Sequence, residues 1–542
     1  METTDENTMS ILIATDLHLG YKENDCIRGD DSFNTCVEIF EIADKNNVDF
    51  ILLGGDLFHK SQPTISTLLR TMNIFAKYCL GDGASKIEIL CERNANFGHS
   101  SLSTIKGVNF KNHNIKVKMP VFSIHGNHDC LRGKDYFSAI DHLSVAGYLN
   151  HFGRSTNLKE IKIDPICIQK GTTKLALYGL GYVADTRLHE LFEEQKVKFQ
   201  PIQQGASGEW FKLFVLHQNR TDRGSIATKD FIPENFIDED INLIVWGHEH
   251  ACEIDRDWKS GKSRVLQPGS SIATSLRESE SKDKHVAILE IKGDNFNLIP
   301  IPLETVRPLH IETIILENFI DPHFKTKINN SQNNEKIQKT VIEVYNKTIK
   351  SAISKTYHEA ENKRRKPLVR IKVDATGFES ISAKGIDAQL LKKVANPNEI
   401  IHIFPRKNLL PADNRIDTSN LCQEKLNVED LVHTYLKDNK EKTKMFNPSQ
   451  LNDALIQFVY HDDKKAIEEC CNKVTSKAIN DLKELDLGGS REKISSKAFA
   501  FFEDKNKTSL PHNRAQSNDN HSIAVTSHST YEGPPRKKNR LE

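Results

Sequence analysis

Apolar residues fall along this chain in two rhythms. Short, β-branched apolar runs at Ser10–Thr15, Val48–Leu53, Pro120–Ile124, Phe211–Leu216 and Ile241–Trp246 each stop at polar residues and predict buried strands. Between them, Phe33–Asn46 and Thr64–Leu80 carry apolar positions at helical spacing. Strands alternating with helices predict an α/β fold over residues 8–300, a layered β-sheet core flanked by helices. Gly81–Met119 lacks either rhythm and reads as a loop-like insertion. Residues 301–408 change to a smaller α+β unit, interrupted by a polar stretch, Lys325–Lys336, that reads as a loop.

Residues 409–427 read as a linker. Helical periodicity returns at Val428, Leu431, Val432, Tyr435 and Leu436, then at Leu451, Leu455, Phe458, Val459 and Ile467. The expectation is a C-terminal helical hairpin over 428–487. It carries more apolar side chains than two helices bury between themselves, so a partner is expected to cover the surplus. From 488 to 542 the chain is polar and predicts disorder. It includes Pro534-Pro-Arg-Lys-Lys-Asn-Arg540, a Lys/Arg run that fits a nuclear import signal.

Charge narrows the partners. Lys plus Arg (74) equals Asp plus Glu (74), so nucleic acid would have to be held by local patches. One candidate is Lys363-Arg364-Arg365-Lys366 with Arg370 and Lys372. The ten cysteines form no Cys-x-x-Cys pair, and no run of apolar residues is long enough to span a bilayer. These features predict an intracellular, reduced chain with no membrane association.

The candidate chemistry lies where the strands stop. Five signatures follow in order: Asp16-Leu17-His18, Gly54-Gly55-Asp56-Leu57-Phe58-His59, Gly126-Asn127-His128-Asp129, His217-Gln218-Asn219 and Gly247-His248-Glu249-His250. Strand ends with glycine turns bring distant segments to one rim, where open α/β sheets bind ligands. Mixed imidazole and carboxylate donors suit manganese, iron or zinc better than calcium. The ordered set predicts a two-metal phosphoesterase site.

These signatures resemble the calcineurin-like metallophosphoesterase superfamily. Within it, the chain is similar to the eukaryotic meiotic recombination eleven (Mre-eleven) family of double-strand-break repair nucleases, related to bacterial SbcD. Phe122-Ser-Ile-His-Gly-Asn-His-Asp129, Leu216-His-Gln-Asn-Arg220, Val245-Trp-Gly-His-Glu-His250, Gln267-Pro-Gly-Ser-Ser-Ile-Ala-Thr-Ser-Leu276 and Lys366-Pro-Leu-Val-Arg-Ile-Lys-Val-Asp374 carry the closer match. The resemblance implies a manganese-dependent DNA nuclease with 3′ to 5′ exonuclease and endonuclease activity. Asp16, His18, Asp56 and His250 would hold one Mn2+, with Asp56 bridging to a second held by Asn127, His217 and His248. His128 would assist the leaving oxygen, Asp129 would orient His128, and His59 would position the phosphate.

The resemblance also implies a DNA-binding capping role for 301–408 and a grip on a coiled-coil ABC-type ATPase (Rad-fifty-like) by 428–487. A Nijmegen-breakage-syndrome-like regulatory subunit would meet the 81–119 insertion. A homodimer would form through two apolar helical stripes, one at Thr64, Ile65, Leu68, Leu69, Met72, Ile74, Phe75 and Tyr78 and one at Tyr136–Leu149, with Leu68 and Leu69 or Ile140 and Leu143 packing against the symmetry mate. Location in the nucleus, on chromosomes, follows, with roles in repair and meiosis. The alternative reading is a DNA-end-binding, ATPase-tethering scaffold with a dispensable nuclease site. One departure stands out: Cys130-Leu131-Arg132-Gly133 occupies the turn where the family usually has Asp-Pro.

Overall fold

The computed structural model describes residues 6–83, 85–91, 97, 107–133, 136–202, 209–221, 229–254, 264–319, 331–362, 365–376, 382–404, 470–473 and 476. Two six-stranded sheets form the core. One runs, in spatial order, Asn295–Pro302, His285–Lys292, Met9–Ala14, Phe50–Leu53, Val121–Ser123 and Asn150–His151. The other runs Val265–Leu266, Leu243–Gly247, Phe211–His217, Thr173–Leu180, Ile166–Lys170 and Glu88–Cys91. All five runs expected as strands are strands, within one or two residues at each end.

Strand side chains alternate between faces, and here both faces are covered. Met9, Ile11, Ile13, Phe50, Leu52 and Phe122 of the first sheet meet Leu175, Leu177, Leu213, Val215, Leu243 and Val245 of the second in one buried cluster. The alternate positions Leu12, Ala14, Ile51 and Leu53 pack outward against Phe33, Cys36, Phe40 and Phe75. Those four belong to helices Asp31–Lys45 and Ile65–Cys79. On the second sheet, Tyr178, Phe214, Leu216 and Trp246 pack with Leu188 and Leu191 of helix Asp185–Glu193. Helix, sheet, sheet and helix thus form four layers, which explains why the strand sequences read as continuous apolar runs. Helix Ile65–Cys79 starts where its sequence says it should, because the Thr64 hydroxyl accepts from the Thr67 amide.

Several expectations change. The insertion is not loop alone: Glu88–Cys91 pairs antiparallel with Ile166–Lys170 as an added edge strand, and Phe97 and Val108 are buried in the inter-sheet core. Asn109 is buried beside it, its amide N–H donating to Asn150. That ladder sets position 91 opposite Cys167. Cys167 is disulfide-bonded in the structure, where the sequence predicts reduced cysteines. Ile140 and Leu143 are fully buried in the chain's own core and face no symmetry mate. Ile65 and Leu69 remain exposed on helix Ile65–Cys79, and Val145 is exposed at the end of helix Ile140–Val145.

Three parallel strands, Leu309–Ile315, Leu368–Asp374 and Ile401–Phe404, form a third sheet. Helix Ser331–Asn362 covers it through Val341, Tyr345, Ile349 and Ala352, which pack on Val369, Ile371 and Val373. The polar stretch read as a loop therefore enters the helix at Ser331. A buried stripe at four-residue spacing stabilises the helix from Ile337 onward, and its polar first turn extends the same hydrogen-bond ladder.

The described part of the basic cluster makes contacts within the chain. Lys363 and Arg364 lie outside the described residues. Arg365 approaches Asp31 at 3.6 Å, Arg370 donates to the Glu399 carbonyl at 2.6 Å, and Lys372 pairs with Glu278 at 2.9 Å. Arg365 and Lys372 thereby tie the third sheet to the core, and Arg370 joins its middle strand to the turn before its last strand. Arg307 joins them, donating to Asp31 at 2.6 Å. Of the segments expected as linker, hairpin and tail, residues 470–473 and 476 are helical and the rest lie outside the described residues. Among the described residues, no helix is long and apolar enough to cross a membrane.

Candidate metal centre

The five strand-end signatures converge on one rim. Asp16 follows strand Met9–Ala14, Asp56 follows Phe50–Leu53, Asn127 and His128 follow Val121–Ser123, His217 ends Phe211–His217, and His248 follows Leu243–Gly247. Parallel neighbours place these ends side by side. Asp16, His18, Asp56 and His248 all adopt positive φ (52°, 48°, 49° and 79°). Such left-handed backbone costs roughly 1–2 kcal/mol for a non-glycine residue, so it persists only where the surroundings impose it. At Gly126 a Cβ would overlap the Asp56 carboxylate, so this position must be glycine for the two loops to meet.

The donor atoms face one another. His18 Nε2 lies 3.2 Å from His250 Nε2, and 3.9 Å and 3.8 Å from the Asp16 and Asp56 carboxylates. His217 Nε2 lies 3.6 Å from Asp56 Oδ2, 3.9 Å from Asp16 Oδ1 and 3.2 Å from Asn127 Oδ1. His248 joins through Asn127, its Nδ1 2.9 Å from Asn127 Oδ1. Two ligand groupings emerge, Asp16 with His18 and His250, and Asp16 with Asp56 and His217. A third, His18 with His59 and His128, lies alongside.

Hydrogen bonds account for the outward halves of these groups. Asp16 Oδ2 accepts from the Thr15 hydroxyl and the His248 amide, and Asp56 Oδ1 accepts from the His128 amide. His217 Nδ1 donates to the Gly54 carbonyl at 2.8 Å, which leaves Nε2 turned to the centre. Asp16 Oδ1 and Asp56 Oδ2, the inward oxygens, are buried without any hydrogen-bond partner. Orphaned buried carboxylate oxygens surrounded by imidazole nitrogens are what a cation site looks like before a cation is counted. The donor set fits a divalent metal.

Electrostatics tell the same story. Burial alone would lower the His217 imidazole, but the Asp56 and Asp16 carboxylates raise it to about 10. Burial pushes Asp56 up, yet His217 and His18 outweigh it and hold that carboxyl far below its usual range. Burial drives the His18 imidazole well below its ordinary value. A proton on His217 therefore balances the buried carboxylates in the metal-free chain. Metal entry must displace it, because only the neutral imidazole ligates. Between pH 7 and 9, below the raised His217 value, binding is expected to release on the order of one proton and to tighten as pH rises. Calorimetry of Mn2+ binding in buffers of different ionisation enthalpy measures it, and buffer-independent heats would contradict it.

The histidines beyond the ligand groups are also ordered. His128 Nδ1 donates to the His59 carbonyl at 2.7 Å, and the two rings stack at 5.0 Å and 26°. Burial, then the neighbouring His128, lowers the His59 imidazole to about 4. Asp129 is expected from the sequence to orient His128, but its carboxylate oxygens face two backbone amides instead. It is fully buried and accepts from the Gly126 amide at 2.6 Å and the Phe58 amide at 3.1 Å, bracing the two ligand loops. The His59 carbonyl orients His128 instead.

One supporting group escaped the sequence reading. Glu280 is buried, accepts from the Thr274 and Ser275 amides, and lies 3.5 Å from His250 Nδ1. Buried Lys284 donates to the His250 carbonyl at 2.9 Å and pairs with Glu280 at 3.6 Å. Glu280→Gln is expected to weaken metal binding by about 10–100-fold, the usual cost of losing a group that orients a ligand. Titration of the variant with Mn2+ tests this, and unchanged affinity would remove Glu280 from the site.

Known families match this geometry. The calcineurin-like phosphoesterase family matches residues 9–252, and the Mre11 DNA-binding presumed domain matches residues 296–458. The double-strand break repair protein MRE11 of Homo sapiens is 39% identical over 513 residues, covering 93% of this chain and 71% of the human protein. The chain belongs to the MRE11 family. The MRE11 of Gallus gallus is 38% identical over 517 residues (93% of this chain, 72% of the chicken protein), and that of Arabidopsis thaliana 39% over 479 (86% and 64%). Membership in the MRE11 family gives the cluster its chemical class, a divalent-metal phosphodiesterase.

Proposed function

We propose that this chain is a manganese-dependent DNA nuclease that trims broken duplex ends by 3′ to 5′ exonuclease and endonuclease action. The observation that carries the reading is the pair of orphaned carboxylate oxygens, Asp16 Oδ1 and Asp56 Oδ2, ringed by imidazole nitrogens. In this reading Asp16, His18, Asp56 and His250 hold one Mn2+, and Asp56, Asn127, His217 and His248 hold the second. The cation pair, when bound, supplies Lewis-acid polarisation of the phosphodiester and of a water. His59 steers the phosphate, and His128, fixed by the His59 carbonyl, offers Nε2 to the departing oxygen. Asp129 keeps their loops in place.

Around this centre we assign residues 8–300 to the nuclease domain, 301–408 to a DNA-binding cap, 409–427 to a linker and 428–487 to the grip on a coiled-coil ATPase. The insertion is assigned to a Nijmegen-breakage-syndrome-like subunit. Two chains would meet through the exposed Ile65 and Leu69, with nuclear location following from the repair role. The test is digestion of an end-labelled duplex by the purified chain with Mn2+, compared with an aryl phosphodiester. Hydrolysis of the aryl ester without cleavage of DNA would point to a different phosphoesterase.

A further inference from the structure

The loop Gly20–Asp30, which follows the ligand His18, carries a residue that neither motif reading nor family signature singles out. Tyr21 sets its ring edge-on to His59, with centroids 4.9 Å apart and planes at 83°. Its hydroxyl donates to the Thr274 carbonyl at 2.7 Å, and the Thr274 hydroxyl in turn meets His250 Nδ1 at 2.8 Å. One side chain therefore touches both walls of the centre, the His59–His128 stack on one side and the segment that steadies His250 on the other. Behind it, the Arg28 guanidinium lies 5.3 Å from the Tyr21 ring centre and reaches the hydroxyl at 3.4 Å. Arg28 is buried and pairs at 3.1 Å with Glu399, in the turn that leads into the third sheet's last strand, and Lys22 reaches the same carboxylate at 2.6 Å.

We infer that Tyr21 is a positioning residue for His59, and through it for His128, held in place by the Arg28–Glu399 contact. The inference rests on the nuclease reading above. Tyr21 touches no ligand carboxylate, so its ring acts through His59. His59 presents both faces of its influence on His128, the stacked ring and the carbonyl that takes the Nδ1 proton. A ring free to swing would let the stack drift, and a misplacement of about 1 Å near the reacting atoms costs on the order of 10²-fold in rate.

The test uses the full chain and three variants. Tyr21→Ala is expected to lower kcat by on the order of 10-fold to 10²-fold, with KM and Mn2+ affinity unchanged. Tyr21→Phe, which keeps the ring, stays close to the parent. In a His59→Ala background, adding Tyr21→Ala costs nothing further. In the metal-free chain, the histidine 13Cε1 resonances of His59 and His128 move in Tyr21→Ala and hold in Tyr21→Phe. Losses that multiply across the His59→Ala background, unmoved resonances, or a drop in Mn2+ affinity that accounts for the rate would each overturn the inference. If the parent chain itself cleaves no DNA with Mn2+, the nuclease reading falls. The resonance comparison then still decides whether Tyr21 holds His59.

Discussion

Replacing His128 by asparagine is expected to lower Mn2+-dependent DNA cleavage by on the order of 10²–10⁴, with metal binding and folding at the parental level. The separation follows from which of its atoms do what. The His128 backbone amide donates to Asp56 at 2.8 Å and survives any substitution of the side chain. Its ring is fixed by the Nδ1 bond to the His59 carbonyl and by an edge contact with His18 at 4.8 Å. Nε2 is thus the atom the variant removes from reach of a leaving oxygen. Asparagine keeps a polar side chain in the half-buried position but has no imidazole to donate a proton. Calorimetric Mn2+ titration beside cleavage of an end-labelled duplex separates the two effects. Cleavage at parental speed would show that the leaving oxygen is protonated by another group.

The residues that meet at the centre were legible in the sequence because strand ends are local features. An apolar run that stops at Asp, Asn or His is visible within six residues, and five such stops in order select one architecture. What supports the ligands was not legible. Glu280 and Lys284 sit in Ser279-Glu280-Ser281-Lys282-Asp283-Lys284, a charged stretch that reads as solvated loop, yet both are nearly fully buried against His250. Their role comes from the return of a segment some thirty residues downstream, for which the local pattern holds no signal. Asp129 illustrates the converse. Its place beside His128 in sequence suggested a side-chain partnership, but the turn aims the carboxylate backward at two amides.

The same physics governed the larger elements. Period-two alternation was hidden in the core strands, because both sheet faces are covered and every position is apolar, but run length was enough to place them. The edge strand Glu88–Cys91 was missed because four residues within a polar insertion carry too little pattern to stand out. The internal partners of the basic residues near 365 were not legible, because charge is visible in sequence and its counter-charge is not. Asp31 and Glu278, which answer Arg365 and Lys372, lie roughly 330 and 90 positions away.

Asp56→Ala should differ from the His128 variant in kind, losing metal and cleavage together. In the proposed reading Asp56 is the carboxylate shared by the two metals, although its inward oxygen groups with Asp16 and His217. Its Oδ1 accepts the His128 amide, while its unpartnered Oδ2 stands 3.6 Å from His217 Nε2 and 3.8 Å from His18 Nε2. Removing it leaves the imidazoles with one carboxylate, Asp16, in a fully buried setting, where losing one member of a charged set costs about 3–5 kcal/mol. Mn2+ affinity is expected to fall by on the order of 10²–10³, since each 1.4 kcal/mol is tenfold. The metal-free chain should change as well. Asp56 contributes most to holding the His217 imidazole up at about 10, so in the variant that group titrates lower. Stability contributed by protonated His217 is fully present below its unfolded value and lost as pH rises through the folded one, so this loss moves to lower pH in the variant. A titration of the His217 resonance together with Mn2+ calorimetry measures both. If Asp56→Ala kept parental Mn2+ affinity but cleaved no DNA, Asp56 would belong with His128 in proton transfer and the bridge would have to be Asp16.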